Sequence, residues 1–333
     1  MKDSVSGCNE VVSNSSRWRR RGAIGSAIAL LGTLAMISPA QALGPVSVQN
    51  LVTDDQSVNP AQITDSDLRN AWGVSYLPTG PFWVSDNASG LSTIYRVAPD
   101  TKVTTKVMIG TPSVSGISIP GAGNPTGQAA NMGSQFNNDV FLFVSEDGTI
   151  SGWRPALGTT AERLVLADDA KVYKGVTLAN IGSNTYLYAA NFRAGTIDVL
   201  KGDPSAPGLS GNFTDPNLPS GFAPFNVENI GNEIYVAYAK QKPDKEDDDA
   251  GPGNGFLDKF SLQGEFLARV ATKGALNSPW GMVIAPSSFG ALAGDLLVGN
   301  FGDGKINVFD PKTGKFLGTL TKGDGSDVEI EGL

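Results

Sequence analysis

The 333 residues contain no histidine and a single cysteine. Without histidine, this sequence cannot supply a Ser-His-Asp triad, a histidine general base or a His-ligated zinc. The cysteine, Cys8, stands close to the start, so the rest of the chain offers no disulfide, thiol nucleophile or thiolate metal ligand. Long amphipathic helical periods are scarce, and no glycine-rich phosphate loop precedes a helix. The segment Gly110-Thr111-Pro112-Ser113-Val114-Ser115-Gly116 lacks the nucleophile-elbow pattern. Most nucleophilic and phosphate-transfer chemistry is thereby excluded.

The first part of the sequence has the layout of an export leader. A basic cluster (Arg17, Arg19, Arg20, Arg21) precedes an apolar run over residues 23–37, and Ala40-Gln41-Ala42 follows as a small-residue cleavage site. The run is shorter than the ~20 residues that span a bilayer. The expectation is a signal peptide over residues 1–42, a domain over residues 43–333, and a periplasmic or extracellular location with no membrane attachment after cleavage. Cleavage removes five of the 25 basic and two of the 33 acidic residues, leaving about −11. That charge repels nucleic acid and anionic lipid, so neither is an expected partner.

Short β-rich runs separated by Gly, Pro, Asn and Asp fill the rest and recur with a period. A small turn followed by an apolar strand is marked by Gly73, Gly127, Gly175, Asn226, Gly281 and Gly332, at intervals of 54, 48, 51, 55 and 51 residues. A second strand and a turn follow in the first five units, as in Phe82-Trp83-Val84-Ser85-Asp86. A third strand with period-2 alternation comes next, as in Lys305-Ile306-Asn307-Val308-Phe309. An outer fourth strand fits residues 102–108, 163–166, 265–270 and 316–320 and is weakest in the third unit. A four-stranded sheet per ~50 residues must stack to bury its faces, and radial stacking gives a propeller. The expected fold is all-β, a six-bladed β-propeller with its last blade incomplete: five full blades plus the ends of a sixth. Residues 46–52 are expected to give the outer strand of that blade, residues 328–333 to begin its inner strand, and a strand donor to complete it.

The strings NAWGV, GPFWVSDN, FLFVSEDGTISGW, AKQKPDKEDDDAGPGNGFLDKF and LNSPWGMVIAPSSFG, in this order, resemble a family of exported bacterial proteins related to NHL-repeat propellers, whose members are uncharacterised. The resemblance covers residues 46–333. It implies the fold and export and no activity. It also implies a continuation past Glu331-Gly332-Leu333 into a full last blade, which this sequence does not contain.

In a propeller the start of each inner strand and the end of each second strand share one rim. The expected rim therefore carries Asn70, Asn124, Lys174, Asn226 and Asn277, with Asp86, Asn87, Glu146, Asp147, Asn191, Asn300 and Asp303. Such oxygen-rich rings suit Ca²⁺ or another divalent cation, with Asp86, Glu146 and Asn300 as the metal candidates. They equally suit turns, because Asp and Asn at strand ends cap the backbone N–H groups of the next turn. Trp72, Asn124, Asn191, Asn226 and Trp280 are the ligand-binding candidates, and Trp72, Trp280 and Phe225 serve equally as packing between blades. The polar loop over residues 240–255 departs from the EF-hand spacing and is expected as a solvated loop on the same rim. Two functions remain. The first is a non-enzymatic binding or scaffolding propeller for a protein or glycan, with no cofactor. The second is a divalent-metal-dependent hydrolase of lactone type.

Overall fold

A computed structural model describes residues 43–330. The leader, residues 1–42, and the end of the expected sixth inner strand, residues 331–333, lie outside them. Among the described residues there is no α-helix, only three short 3₁₀ turns, and none is long and apolar enough to cross a membrane.

The chain begins with β1 (Val52–Thr53) and β2 (Ile63–Thr64), which pair in parallel. Five antiparallel sheets follow, each laid down from its innermost strand outward. Blade one is β3 (Ala71–Tyr76), β4 (Phe82–Asp86), β5 (Leu91–Val97) and β6 (Thr104–Lys106). In it, β7 (Gly116–Ser118) continues β6 along the same edge of β5. Blade two is β8 (Pro125–Ala130), β9 (Phe141–Ser145), β10 (Ile150–Trp153) and β11 (Glu162–Val165). Blade three has only β12 (Tyr173–Ile181), β13 (Asn184–Asn191) and β14 (Thr196–Lys201). Blade four is β15 (Phe222–Ile230), β16 (Glu233–Lys240), β17 (Gly255–Ser261) and β18 (Phe266–Thr272). Blade five is β19 (Pro279–Ile284), β20 (Leu296–Asn300), β21 (Ile306–Phe309) and β22 (Phe316–Thr319).

The missing outer strand of blade three has a local cause. Residues 202–221 carry Pro204, Pro207, Pro216 and Pro219, which donate no ladder hydrogen bond. The segment instead crosses to blade four, where Gly211 N and Phe213 N donate to the carbonyls of Gln263 and Gly264 at 2.8 and 2.9 Å.

Alternation along the strands sends apolar side chains to both faces of each sheet, and the core lies between sheets. Trp83 and Ile94 of blade one meet Phe141, Phe143 and Trp153 of blade two. The Trp83 and Phe141 rings stack with centroids 4.1 Å apart. Leu142, Val144 and Ile150 then face Tyr173, Val176 and Leu187. Tyr186 and Tyr188 face Val236, Phe256 and Phe260, while Tyr235 and Leu257 face Met282, Leu296 and Val298. Each such fully buried side chain contributes about 1.5–3 kcal/mol relative to exposure. The inner strands are neighbours in the order β3, β8, β12, β15, β19. Trp72 of the first blade touches Trp280 of the last with ring centroids 5.6 Å apart. The fold is an all-β propeller, and the described residues hold five blades.

The segments expected as the ends of a sixth blade lie otherwise than the repeat predicts. Residues 46–52 form no outer blade strand. Val46 N donates to the Thr321 carbonyl at 2.8 Å, and Val52 belongs to the β1–β2 pair. Ile330 N donates to the Gly304 carbonyl at 2.9 Å, and Glu329 bridges to Lys305. Leu43, Val46 and Val328 thus cover part of the free face of blade five, against Leu297, Val308 and Leu320.

Candidate functional site

One rim of the propeller gathers the polar residues that the repeat places at strand tips. The Asn70 amide donates to Asn87 Oδ1 at 3.0 Å, and Asn87 Nδ2 donates to Glu146 Oε2 at 3.1 Å. Glu146 Oε1 accepts from Lys174 Nζ, which also lies 3.5 Å from Asp247 Oδ1. This chain of contacts crosses the rim from blade one to the loop of blade four. Lys174 is 1% exposed, and its ammonium sits 5.3 Å from the centroid of the Trp72 ring. Beneath it, Trp72, Trp280, Phe301 and Phe225 pack edge to face or tilted and close the middle of the ring. Trp280 Nε1 donates to the Lys174 carbonyl at 3.0 Å, which ties the plug to the rim.

Above this network lies an open cavity of ≈ 600 Å³. Blade two contributes Asn124, Glu146 and Asp147; blade three Asp169, Lys171 and Arg193; and the loop of blade four Glu246 and Asp247. That loop folds back on itself through Lys242 N to the Asp247 carbonyl and Asp249 N to the Lys240 carbonyl. Its acids pair with cations. Arg193 binds Glu246 and the Asp169 carbonyl, and Lys240 Nζ binds Asp249 Oδ2 at 2.5 Å. Asn277 Oδ1 accepts from Gly251 N at 2.7 Å, so blade five also holds the loop.

The sequence candidates divide between this rim and local structure. Asn124 and Glu146 line the cavity. Trp72 and Trp280 belong to the plug, and Asn226 Nδ2 donates to the Trp280 carbonyl at 2.7 Å. Asn191 is buried and holds its own turn, its Oδ1 accepting from Val172 N and Ala194 N. Asp147 does the same with Thr149 N at 2.9 Å, beside Gly148 at φ 81°. Asp86, Glu146 and Asn300 are not brought together. Asp86 is buried within blade one, where Thr93 N donates to its Oδ2 at 3.0 Å. Burial pushes its carboxyl up to about 8. Asn300 donates to the Ala275 carbonyl and to Asp303 Oδ1 within blade five. Among the described residues no three His, Cys, Asp or Glu side chains converge as metal ligands. Sequence reasoning missed Arg193, Phe192 and Phe301. The aromatics carried a signal: a Phe directly follows the strand-end Asn in both Asn191-Phe192 and Asn300-Phe301.

No protein-family profile matches the chain. An uncharacterised protein of Acanthamoeba polyphaga mimivirus is 30% identical over 312 residues, 89% of this chain and 74% of that protein. A second uncharacterised protein of the same virus is 31% identical over 319 residues, 89% of this chain and 79% of that protein. The solved structure of a nidogen/laminin complex matches with a TM-score of 0.50 and 12% identity, over 79% of this chain and 84% of that one. That last likeness is one of fold. The sequence identities, sustained over most of all three chains, place this protein in the same β-propeller family as the two mimivirus proteins.

Proposed function

We propose that this chain is an exported propeller that holds a partner rather than transforming a substrate, and that the rim cavity receives a cationic group of that partner. The observation that carries the reading is the acid excess of a preformed pocket. Five carboxylates, from Glu146, Asp147, Asp169, Glu246 and Asp247, line it beside Lys171 and Arg193. Cross-blade hydrogen bonds and the Trp72–Lys174 contact hold its floor in place. Electrostatic attraction in such a concave, partly desolvated site favours a lysine, arginine or amine of a protein partner. Export follows from the leader layout of residues 1–42. The ring is six-fold in this reading, and its sixth sector is the cleft between blades five and one, in keeping with the sixth repeat mark at Gly332. The hydrolase reading requires oxygen ligands converging on one cation, and no observation on the rim favours it.

Calorimetric titration with a hexalysine peptide at low salt tests the proposal. The protein is expected to bind it, with affinity falling about fivefold or more in the Asp169→Asn, Asp247→Asn double variant. Affinity should collapse near 1 M salt, where the Debye length is about 3 Å. Affinity indifferent to both changes contradicts the rim as the site.

A further inference from the structure

Every inner strand of this propeller breaks its pairing with the second strand near its start. The register skips Phe225 in β15 and Trp280 in β19, and it is interrupted over Trp72 and Gly73 in β3 and over Thr126 and Gly127 in β8. A bulged residue re-aims its side chain, and Trp72, Phe225 and Trp280 all turn into the hub. In β12 the skipped residue is Lys174. A primary amine is thus aimed into the middle of the ring, where three other blades place an aromatic, and Trp280 Nε1 holds its backbone carbonyl. The stem reaches far enough across the hub to set Nζ against Trp72 of blade one.

What the amine meets there is one carboxylate shared with a carboxamide. Lys174 Nζ binds Glu146 Oε1, and Asn87 Nδ2 donates to Glu146 Oε2 at 3.1 Å. The orientation of Asn87 is forced, since an ionised carboxylate only accepts. Its Oδ1 therefore points the other way and accepts from Asn70 Nδ2 at 3.0 Å. Backbone bonds from Asn87 N to the Asn70 carbonyl and from Ala88 N to the Arg69 carbonyl, both 3.1 Å, fix the amide in place. Lys174 and Asn87 are both buried, so little water competes at either group. Nucleophile, proton carrier, carboxamide and a donor to its oxygen stand in one line across three blades.

We propose that Lys174 and Asn87 join in an intramolecular isopeptide bond, with Glu146 carrying the proton, so that blades one and three are tied covalently across the hub. Glu146 takes a proton from the Lys174 ammonium, and the free amine attacks Asn87 Cγ. Attack requires Nζ to come within about 3–3.5 Å of that carbon, and the flexible lysine stem can close the gap. As the Nζ–Cγ bond forms, the carbonyl electrons move onto Oδ1, where the Asn70 amide stabilises the developing charge. Glu146 then gives its proton to Nδ2, the Cγ–Nδ2 bond breaks, and the carbonyl re-forms. The amine's second surplus proton passes to Asp247, whose Oδ1 lies 3.5 Å from Nζ, and leaves with the ammonia as ammonium. One lysine ammonium and one carboxamide become one secondary amide and one ammonium ion, and Glu146 is a carboxylate again. No oxidant or outside reactant is consumed. The open cavity that Glu146 and Asp247 line gives the ammonium its way out.

The test is a peptide map of the folded wild-type chain, unfolded and then cut with trypsin. It needs no ligand, so it is read independently of the cationic-partner proposal. The expected product is a branched species in which residues 70–96 are joined to residues 172–193, uncut after Lys174 and lighter than its two arms by one ammonia. Lys174→Arg keeps the positive charge and should yield only linear peptides. Glu146→Gln keeps both reacting groups and, sampled at matched early times after synthesis, should hold the branched species at about a hundredth of the wild-type level or less. Linear peptides alone from the wild-type chain overturn the proposal, whatever the variants do. Loss of ammonia from residues 70–96 with cleavage intact after Lys174 marks a cyclic imide at Asn87 and overturns it equally. A branched species as abundant in Glu146→Gln as in the wild-type chain overturns the part given to Glu146.

Discussion

Single residues explain most of the rim's behaviour, and Asp86 is the clearest case. Its Oδ2 accepts from Thr93 N, its Oδ1 has no partner, and the side chain is fully buried. Burial disfavours the charged form, raising the carboxyl from 3.8 to about 8. The folded state therefore holds this proton where the unfolded chain has lost it. The contribution to stability is full below about pH 4, declines as pH rises toward 8, and is level above. Asp86→Asn removes that dependence. Urea midpoints of the variant relative to the wild-type protein should rise steadily between pH 4 and pH 8, and parallel curves contradict the assignment. Nothing in the sequence distinguishes Asp86 from Glu146, since both end a second strand. Their fates differ because Asp86 lies inside a blade, whereas Glu146 meets Lys174 from the next blade at the open rim.

At the scale of the element, the inner strands set how close the blades stand. Gly127→Ala places a methyl group against Val176 N and Gly175 Cα, both backbone, and should destabilise by about 1–3 kcal/mol through overpacking. Gly281→Ala meets nothing, and relief of glycine's flexibility in a strand should leave stability unchanged or raised by about 0.5–1 kcal/mol. Urea denaturation of the two variants checks the contrast, and equal losses would mean that Gly281 is also packed. The repeat made these strands legible because a small turn precedes each one and glycine stands at the close contacts of blades one, two and three, with Asn226 in that place in blade four. It placed the second and third strands of all five blades, and it left the outer strand of blade three weak where prolines divert the chain. The course of residues 43–64 was not legible. A leading segment of low periodicity has its path chosen by whichever apolar face stands open, here Leu297, Val308 and Leu320 of blade five. The pairing of Arg193 with Glu246 was likewise hidden, because it depends on how far a loop leans between blades.

For the whole molecule, the claim on which the rest stands is that the five sheets surround one axis, so that the first and last blades meet at the centre. Only a ring brings Trp72, in blade one, against Trp280, in blade five, while Lys174 from blade three caps the pair. The acidic rim follows from that closure. The chain has five tryptophans, and Trp83 and Trp153 supply an internal standard, since they lie 4.9 Å apart across the interface of blades one and two. The direct measurement is a nuclear Overhauser spectrum of protein labelled only at tryptophan. Cross-peaks between the indole protons of Trp72 and Trp280 should accompany those between Trp83 and Trp153. If the Trp83–Trp153 peaks are present and the Trp72–Trp280 peaks are missing, the sheets stack without closing and the account fails.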